Sequence, residues 1–145
     1  HAAGKITLFF VAGAIYVGAK LSNISELNGQ GKSMPLIFIA FFIGSLSIIG
    51  VPPMGGSWSK FFLMLGAAES GYFFVIAVFC ISTILNVYYL LEIPARAFFF
   101  KKEKEITAKV PLLITIPTLM TCFLTILLFF FIEPFQNLAS LMVGK

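Results

Sequence analysis

The sequence predicts an all-α integral membrane protein with about four crossings, one of them a discontinuous helix broken at Pro52-Pro53. Composition and run length carry this prediction. Of the 145 residues, 59% are hydrophobic and 11% are charged, whereas a soluble domain has about 25% charged residues. Several apolar runs approach or reach the roughly 20 residues that cross a bilayer. The lipid bilayer is therefore the first expected partner.

Polar loops separate the apolar runs and so divide the chain into candidate spans. The runs are residues 6–19, 35–51, 61–68, 72–91 and 112–132. The last two are long enough for full crossings, whereas residues 61–68 would reach only about 12 Å as a helix. The sequence contains no internal repeat and no sign of a second domain. We therefore expect residues 1–145 to form a single transmembrane helical region.

Basic residues indicate whether the stretch 35–68 crosses the membrane once or twice. If it forms one broken crossing, loops 20–33 and 96–109 lie on the same side of the membrane. That side then holds Lys20, Lys32, Arg96, Lys101, Lys102, Lys104 and Lys109, and the opposite side keeps Lys145. Two crossings would divide these residues between the sides. The positive-inside rule thus favours one broken crossing, with both basic loops in the cytoplasm.

Several other classes of function are disfavoured by the pattern. The net charge of +4 comes from residues placed between apolar runs, which indicates membrane topology and not nucleic-acid binding. Cys80 and Cys122 each lie inside an apolar run, as packing residues do, without the spacing of metal ligands. No catalytic constellation or phosphate-binding loop is present. We expect no cofactor, no metal and no covalent chemistry in this chain.

Lys60 is the strongest candidate for a functional residue. A lysine inside a membrane segment costs roughly 2.5 to 3.5 kcal/mol on insertion scales, so it indicates a functional site. The residues before it form a predicted helix break made of Pro52, Pro53, Gly55 and Gly56, because proline lacks the helical donor and glycine loosens the backbone. Irregular backbone at this depth survives where it is buried or lines a wet cavity. Lys60 could therefore exchange protons near neutral pH, although a lysine that snorkels to the surface is the simpler alternative.

The half-helix after the break has its own predicted features. Ser57 or Ser59 is expected to cap its first turn. We also expect Lys60 to lie at the positive end of the helix dipole, which disfavours a charged ammonium.

His1 and Lys5 are the second group of candidates. They are four residues apart and therefore share one face of the first predicted helix. Histidine titrates near neutral pH, so the pair could form a step in a proton relay. The alternative is that His1 is a stray polar residue at a helix end. A further i,i+4 pair, Glu92 and Arg96, is predicted to form a local ion pair.

Two motifs resemble a known family, the antiporter-like membrane subunits of Mrp-type sodium/proton antiporters, respiratory complex I and membrane-bound hydrogenases. Residues 1–10 (HAAGKITLFF) resemble the family's His-Ala-x-x-Lys helix. Residues 50–60 (GVPPMGGSWSK) resemble its Gly-x-Pro-Pro-x-x-Gly-Phe-x-Ser-Lys break, with Ser57 in place of the usual Phe. Residues 85–98 look closest to the branch formed by the D subunits of the antiporters.

The resemblance implies a line of protonatable residues through the membrane midplane, to which Lys5 and Lys60 would belong. It also implies the C-terminal part of a longer subunit in a multi-subunit complex of the cell's inner (plasma) membrane, transporting protons with Na⁺ or K⁺ as further candidate ions. Two alternatives remain: a proton-pumping subunit of an NADH-quinone oxidoreductase or membrane-bound hydrogenase, and a structural or assembly subunit without transport.

Overall fold

A computed structural model of the chain describes residues 1–101 and 109–143, and the elements in this part of the chain are all helices. They are α1 (Ala2–Ala19), α2 (Pro35–Ile49), α3 (Gly56–Glu69), α4 (Phe73–Phe99), α5 (Leu112–Phe130) and α6 (Glu133–Val143). Two short 3-10 turns, Ile24–Leu27 and Gln30–Lys32, lie in the loop between α1 and α2. The predicted all-α membrane fold is confirmed.

Three of these helices, α1, α4 and α5, are long and apolar enough to cross a membrane. The others include α2 and α3, with 15 and 14 residues. At about 1.5 Å per residue these two helices are about 22 and 21 Å long, which is less than the roughly 30 Å of a bilayer core. Each is therefore half of a crossing.

The ends of α4 show that α2 and α3 together make one crossing. The α1–α2 loop lies against the C-terminal end of α4, because Gly29 N–H donates to Arg96 O at 3.1 Å. At the other end, a turn at Ser70 and Gly71 joins α3 directly to α4. α2 therefore starts where α4 ends, and α3 ends where α4 starts. The predicted single broken crossing is confirmed.

Both basic loops lie at the same end of the helix bundle. Besides the bond between Gly29 and Arg96, Lys109 N–H donates to Gly18 O at 3.2 Å, which places the start of α5 beside the end of α1. The described parts of both loops therefore lie together at one end of the helices, and their shared side of the membrane stays a prediction. Lys102 and Lys104 lie outside the described residues, as does Lys145, which was predicted on the opposite side.

Small and hydroxylated residues allow α1 and α2 to pack closely. A Cβ atom at Gly4 would lie 3.2 Å from Ser47 Oγ, and one at Gly44 would lie 3.3 Å from Thr7 Cγ2. Such residues are typical of helix contacts in membranes, where lipid removes the hydrophobic drive for association. The core continues through Phe38 and into α5 at Cys122, which is buried, whereas Cys80 on α4 is exposed.

Helix α6 was not expected, because the last predicted span ends at Glu133-Pro134. α5 ends at Phe130 and α6 begins at Glu133. An acidic residue and a proline in the first turn are in fact typical of a helix start. Phe135, Leu138 and Leu141 of α6 are exposed.

We predict that cysteines replacing Lys32 and Lys101 are labelled from the same side of the membrane by an impermeant thiol reagent. A cysteine replacing Ser70, in the turn between α3 and α4, should be labelled from the opposite side, because one broken crossing separates it from Lys32. All three side chains are exposed. Labelling of the Lys32 and Ser70 positions from the same side would refute the single crossing.

Candidate functional site

The candidate site is the interruption between α2 and α3, where the sequence predicts it. α2 ends at Ile49, and Gly50 follows with a left-handed backbone (φ 87°). A cis peptide bond joins Pro52 to Pro53, and α3 begins at Gly56. Gly50 is constrained twice, since φ is positive and a Cβ atom there would lie 2.7 Å from Lys60 Cδ.

Proline leaves a carbonyl group of α2 without its helical donor. In a continuous helix the residue at position 53 would donate to Ile49 O, but Pro53 has no N–H. The regular helical bonds of α2 end with Gly50 N–H donating to Leu46 O at 2.9 Å. The Lys60 ammonium takes the vacated place and donates to Ile49 O at 2.7 Å.

Lys60 reaches this carbonyl because side chains on a helix point back toward its N-terminus. Its Nζ also donates to Thr83 Oγ1 of α4 at 3.1 Å, and its side chain is half-buried. The sequence predicted only that this charge lies near the positive, N-terminal end of α3. In the structure the ammonium also lies at the C-terminal end of α2, where the helix dipole stabilises a cation.

The two glycines at the start of α3, the N-cap Gly55 and the first residue Gly56, allow close packing. A Cβ atom at Gly56 would lie 1.8 Å from Ser47 O, and one at Gly55 would lie 3.0 Å from Leu128 Cβ. Gly55 N–H also donates to Thr125 O of α5 at 2.9 Å. These contacts press the start of α3 against α2 and α5, whereas the sequence predicted only that the glycines loosen the backbone.

The prediction that Ser57 or Ser59 caps α3 is wrong. The N-cap is Gly55, which has no side chain to offer, and Ser57 Oγ donates to Met54 O at 2.8 Å. That bond stabilises the turn before the helix but leaves the first N–H groups of α3 without a serine cap.

Trp58 anchors the broken segment to α5 and was missed by sequence reasoning. Its Nε1–H donates to Phe129 O at 3.0 Å, and its ring lies 5.9 Å from Phe62 and 5.7 Å from Phe129 between centroids. Trp58 is the single tryptophan of the chain and directly follows the break. Its position beside the break was the signal from which a role for Trp58 could have been predicted.

Two cavities meet at Lys60. One, of about 490 Å³, is lined by His1, Lys5 and Lys60 together with polar residues of α3 and α4, Ser59, Ser82, Asn86 and Tyr89. The structure thus brings the three predicted residues to one space. The other cavity, of about 530 Å³, is mostly apolar and is lined by Ile49, Pro52, Trp58, Lys60 and Thr83, among others.

Burial of the lysines is weaker than the sequence predicts. His1 and Lys5 are exposed in this chain, and Lys60 is only half-buried. A relay of buried lysines is therefore not formed by the described residues alone. The predicted ion pair at the loop end of α4 is present, with Arg96 Nη2 2.7 Å from Glu92 Oε1.

The depth of the site follows from its place on α4. Thr83 lies about 15 Å along the helix axis from the start of α4 and about 24 Å from its end. The Lys60 ammonium is thus well inside the span. Within residues 1–101 and 109–143, the structure forms no group of three His, Cys, Asp or Glu that could hold a metal ion.

Comparison with known proteins places these features in one family. Residues 1–86, more than half of the chain, match the family described as "NADH:quinone oxidoreductase/Mrp antiporter, TM". The chain belongs to this family. The match includes α1, the whole broken crossing and the part of α4 that carries Thr83.

Sequence relatives come from both branches of the family. The N subunit of the NADH-quinone oxidoreductase of Desulforudis audaxviator is 37% identical over 98 residues, which are 68% of this chain and 20% of the relative. The D subunit of the Na(+)/H(+) antiporter of Alkalihalophilus pseudofirmus is 31% identical over 137 residues, 92% of this chain and 28% of the relative. The chain thus spans between a fifth and three tenths of these relatives' length.

Solved structures share the fold. One chain in the structure of the Mrp complex from Dietzia sp. DQ12-45-1b superposes with a TM-score of 0.83 at 21% identity, over 93% of this chain and 34% of that one. One chain in respiratory complex I from Thermus thermophilus superposes with a TM-score of 0.72 at 22% identity, over 88% of this chain and 30% of that one. At these identities the likeness shows the antiporter-like membrane fold.

We predict that Gly56→Ala destabilises the full subunit by about 1 to 3 kcal/mol, because the new methyl group would overlap Ser47 O. Gly66→Ala in the same helix is the matched control, since nothing lies within 4 Å of a Cβ atom there, and it should be neutral or slightly stabilising. Thermal unfolding of the detergent-solubilised subunit measures both. Equal midpoints for the two variants would contradict the close packing.

Proposed function

We propose that this chain is part of a membrane subunit that translocates protons, exchanged in an Mrp-type antiporter for a monovalent cation such as Na⁺ or K⁺. One observation carries the proposal: the Lys60 ammonium lies inside the span, at a helix break, on the wall of a cavity that it shares with Lys5 and His1. A charge at this depth is costly unless it is used or paired.

Lys60 is the main proton-carrying residue in this proposal. An amine accepts a proton and an ammonium releases one, while water in the shared cavity can connect Lys60 to Lys5 and His1. Lys5 is second in importance, and His1 is third. The exposure of Lys5 and His1 in this chain implies that the remaining part of the subunit completes the enclosure.

The antiporter branch is favoured over the complex I branch by the extent of the match. The alignment with the antiporter relative covers 92% of this chain and includes the motif in residues 85–98, whereas that with the oxidoreductase relative covers 68%. A proton-pumping subunit of a quinone oxidoreductase is the second candidate, favoured by the higher identity of 37%. A hydrogenase subunit and a structural subunit without transport are the remaining alternatives.

The setting proposed is the cell's inner (plasma) membrane with the basic end in the cytoplasm, as the positive-inside rule favours. Partner membrane subunits are expected, since α4 exposes large apolar side chains such as Phe73, Phe74 and Ile84. These side chains would face lipid, the rest of the subunit or a neighbouring subunit.

We predict that Lys60→Ala in the full subunit abolishes proton-coupled transport in membrane vesicles while the complex still assembles. Lys60→Arg should also impair transport, because a guanidinium keeps its proton at any working pH. Lys32→Ala, an exposed loop lysine, is the control and should transport normally.

The measurement is the rate of dissipation of a proton gradient when a monovalent cation is added, normalised to the assembled complex. Wild-type rates for Lys60→Ala would refute the proton-carrying role and favour the structural alternative.

A further inference from the structure

Thr83 is the one α4 side chain that the structure joins to Lys60 by a hydrogen bond. Its Oγ1 accepts from Lys60 Nζ at 3.1 Å and donates to Phe79 O at 2.8 Å. Thr83 comes from a different helix and is half-buried. The contact therefore ties the end of a long side chain on the broken crossing to a continuous helix beside it.

The chemistry of the two acceptors, Ile49 O and Thr83 Oγ1, decides whether they hold the protonated Lys60 or relay its proton. A hydroxyl group has one hydrogen, and that of Thr83 is directed to Phe79 O. Ile49 O is a carbonyl oxygen and only accepts. In this arrangement neither group has an acceptor to which it could pass a proton from Lys60 onward, so both serve to hold the ammonium.

The position of these acceptors also sets the direction in which Lys60 points. Ile49 and Thr83 both line the mostly apolar cavity, whereas Lys5 and His1 line the more polar one. Two of the three ammonium donors have partners among the described residues. One N–H group is thus left for a transient partner, such as water in the polar cavity.

We propose that Thr83 is a positioning residue, which holds the Lys60 ammonium at the helix break between proton-transfer steps. This inference rests on the proposed function of Lys60. Lysine has four rotatable side-chain bonds, and ordering such a side chain is entropically costly. Without the Thr83 acceptor, the ammonium is held by Ile49 O alone and spends less time where transfer begins.

The test compares variants of Thr83 in the full subunit within its assembled complex. Valine has the shape of threonine without the hydroxyl group, and serine keeps the hydroxyl group without the methyl group. Thr83→Val should lower the transport rate about tenfold, the effect of losing one hydrogen bond to a charged group. Thr83→Ser should restore the rate to near that of the wild type.

The matched control is Thr115→Val on α5. Thr115 Oγ1 makes the same i−4 bond within its helix, to Pro111 O at 3.2 Å, so this variant removes a comparable hydroxyl group and should transport normally. Should Thr83→Val fail to assemble, Thr83→Ala is compared with Thr83→Ser in the same way.

The outcomes distinguish this inference from the function on which it rests. If Lys60→Ala transports normally, both are wrong. If Lys60→Ala is inactive but Thr83→Val transports like the wild type, only the role of Thr83 is wrong. Equal impairment of Thr83→Val and Thr83→Ser would also overturn it, because the threonine as a whole and not its hydroxyl group would then matter.

Discussion

The hydrogen bond from Lys60 Nζ to Ile49 O is the interaction on which the site depends. Inside a membrane an unpaired carbonyl is costly because no bulk water replaces the lost donor, and an isolated ammonium is costly for a similar reason. The Pro-Pro segment leaves the Ile49 carbonyl without its helical donor, and Lys60 brings an ammonium into the span. The hydrogen bond from Lys60 Nζ to Ile49 O gives each group a partner. Gly50 and Gly56 leave the space in which the lysine stem and the carbonyl groups of α2 can approach each other.

The rest of the described fold places that bond at depth. Each half-helix is too short to cross alone, so the break falls inside the span, and Trp58 and Gly55 fasten it to α5. α4 runs past the break as a continuous helix and brings Thr83 and the polar residues Asn86 and Tyr89 to Lys60 and its cavity. The site therefore needs three helices besides the half-helix that carries the lysine. This explains why a single membrane lysine can be held without a carboxylate partner among the described residues.

Sequence reasoning succeeds here where the cause is local and fails where it depends on tertiary packing. The break at Pro52-Pro53 was predictable because a missing N–H is a property of the residue itself, and the shared end of the loops was predictable from the positions of Lys32 and Arg96. The direction of the Lys60 side chain, the contact with Thr83 and the tight fit of Gly56 were not predictable, since each requires knowing which helix lies beside the break. Helix α6 was missed because its apolar residues are too few for a span.

A high-resolution structure of the assembled complex containing the full subunit would show directly whether Lys60 donates a hydrogen bond to the carbonyl group at the helix break. The distance to measure is that from Lys60 Nζ to Ile49 O, which is 2.7 Å here. We expect a hydrogen-bond distance of about 2.7 to 3.2 Å, with α2 still ending before Pro52. An ammonium directed away from the break, with Ile49 O paired to another donor, would contradict this role of the lysine.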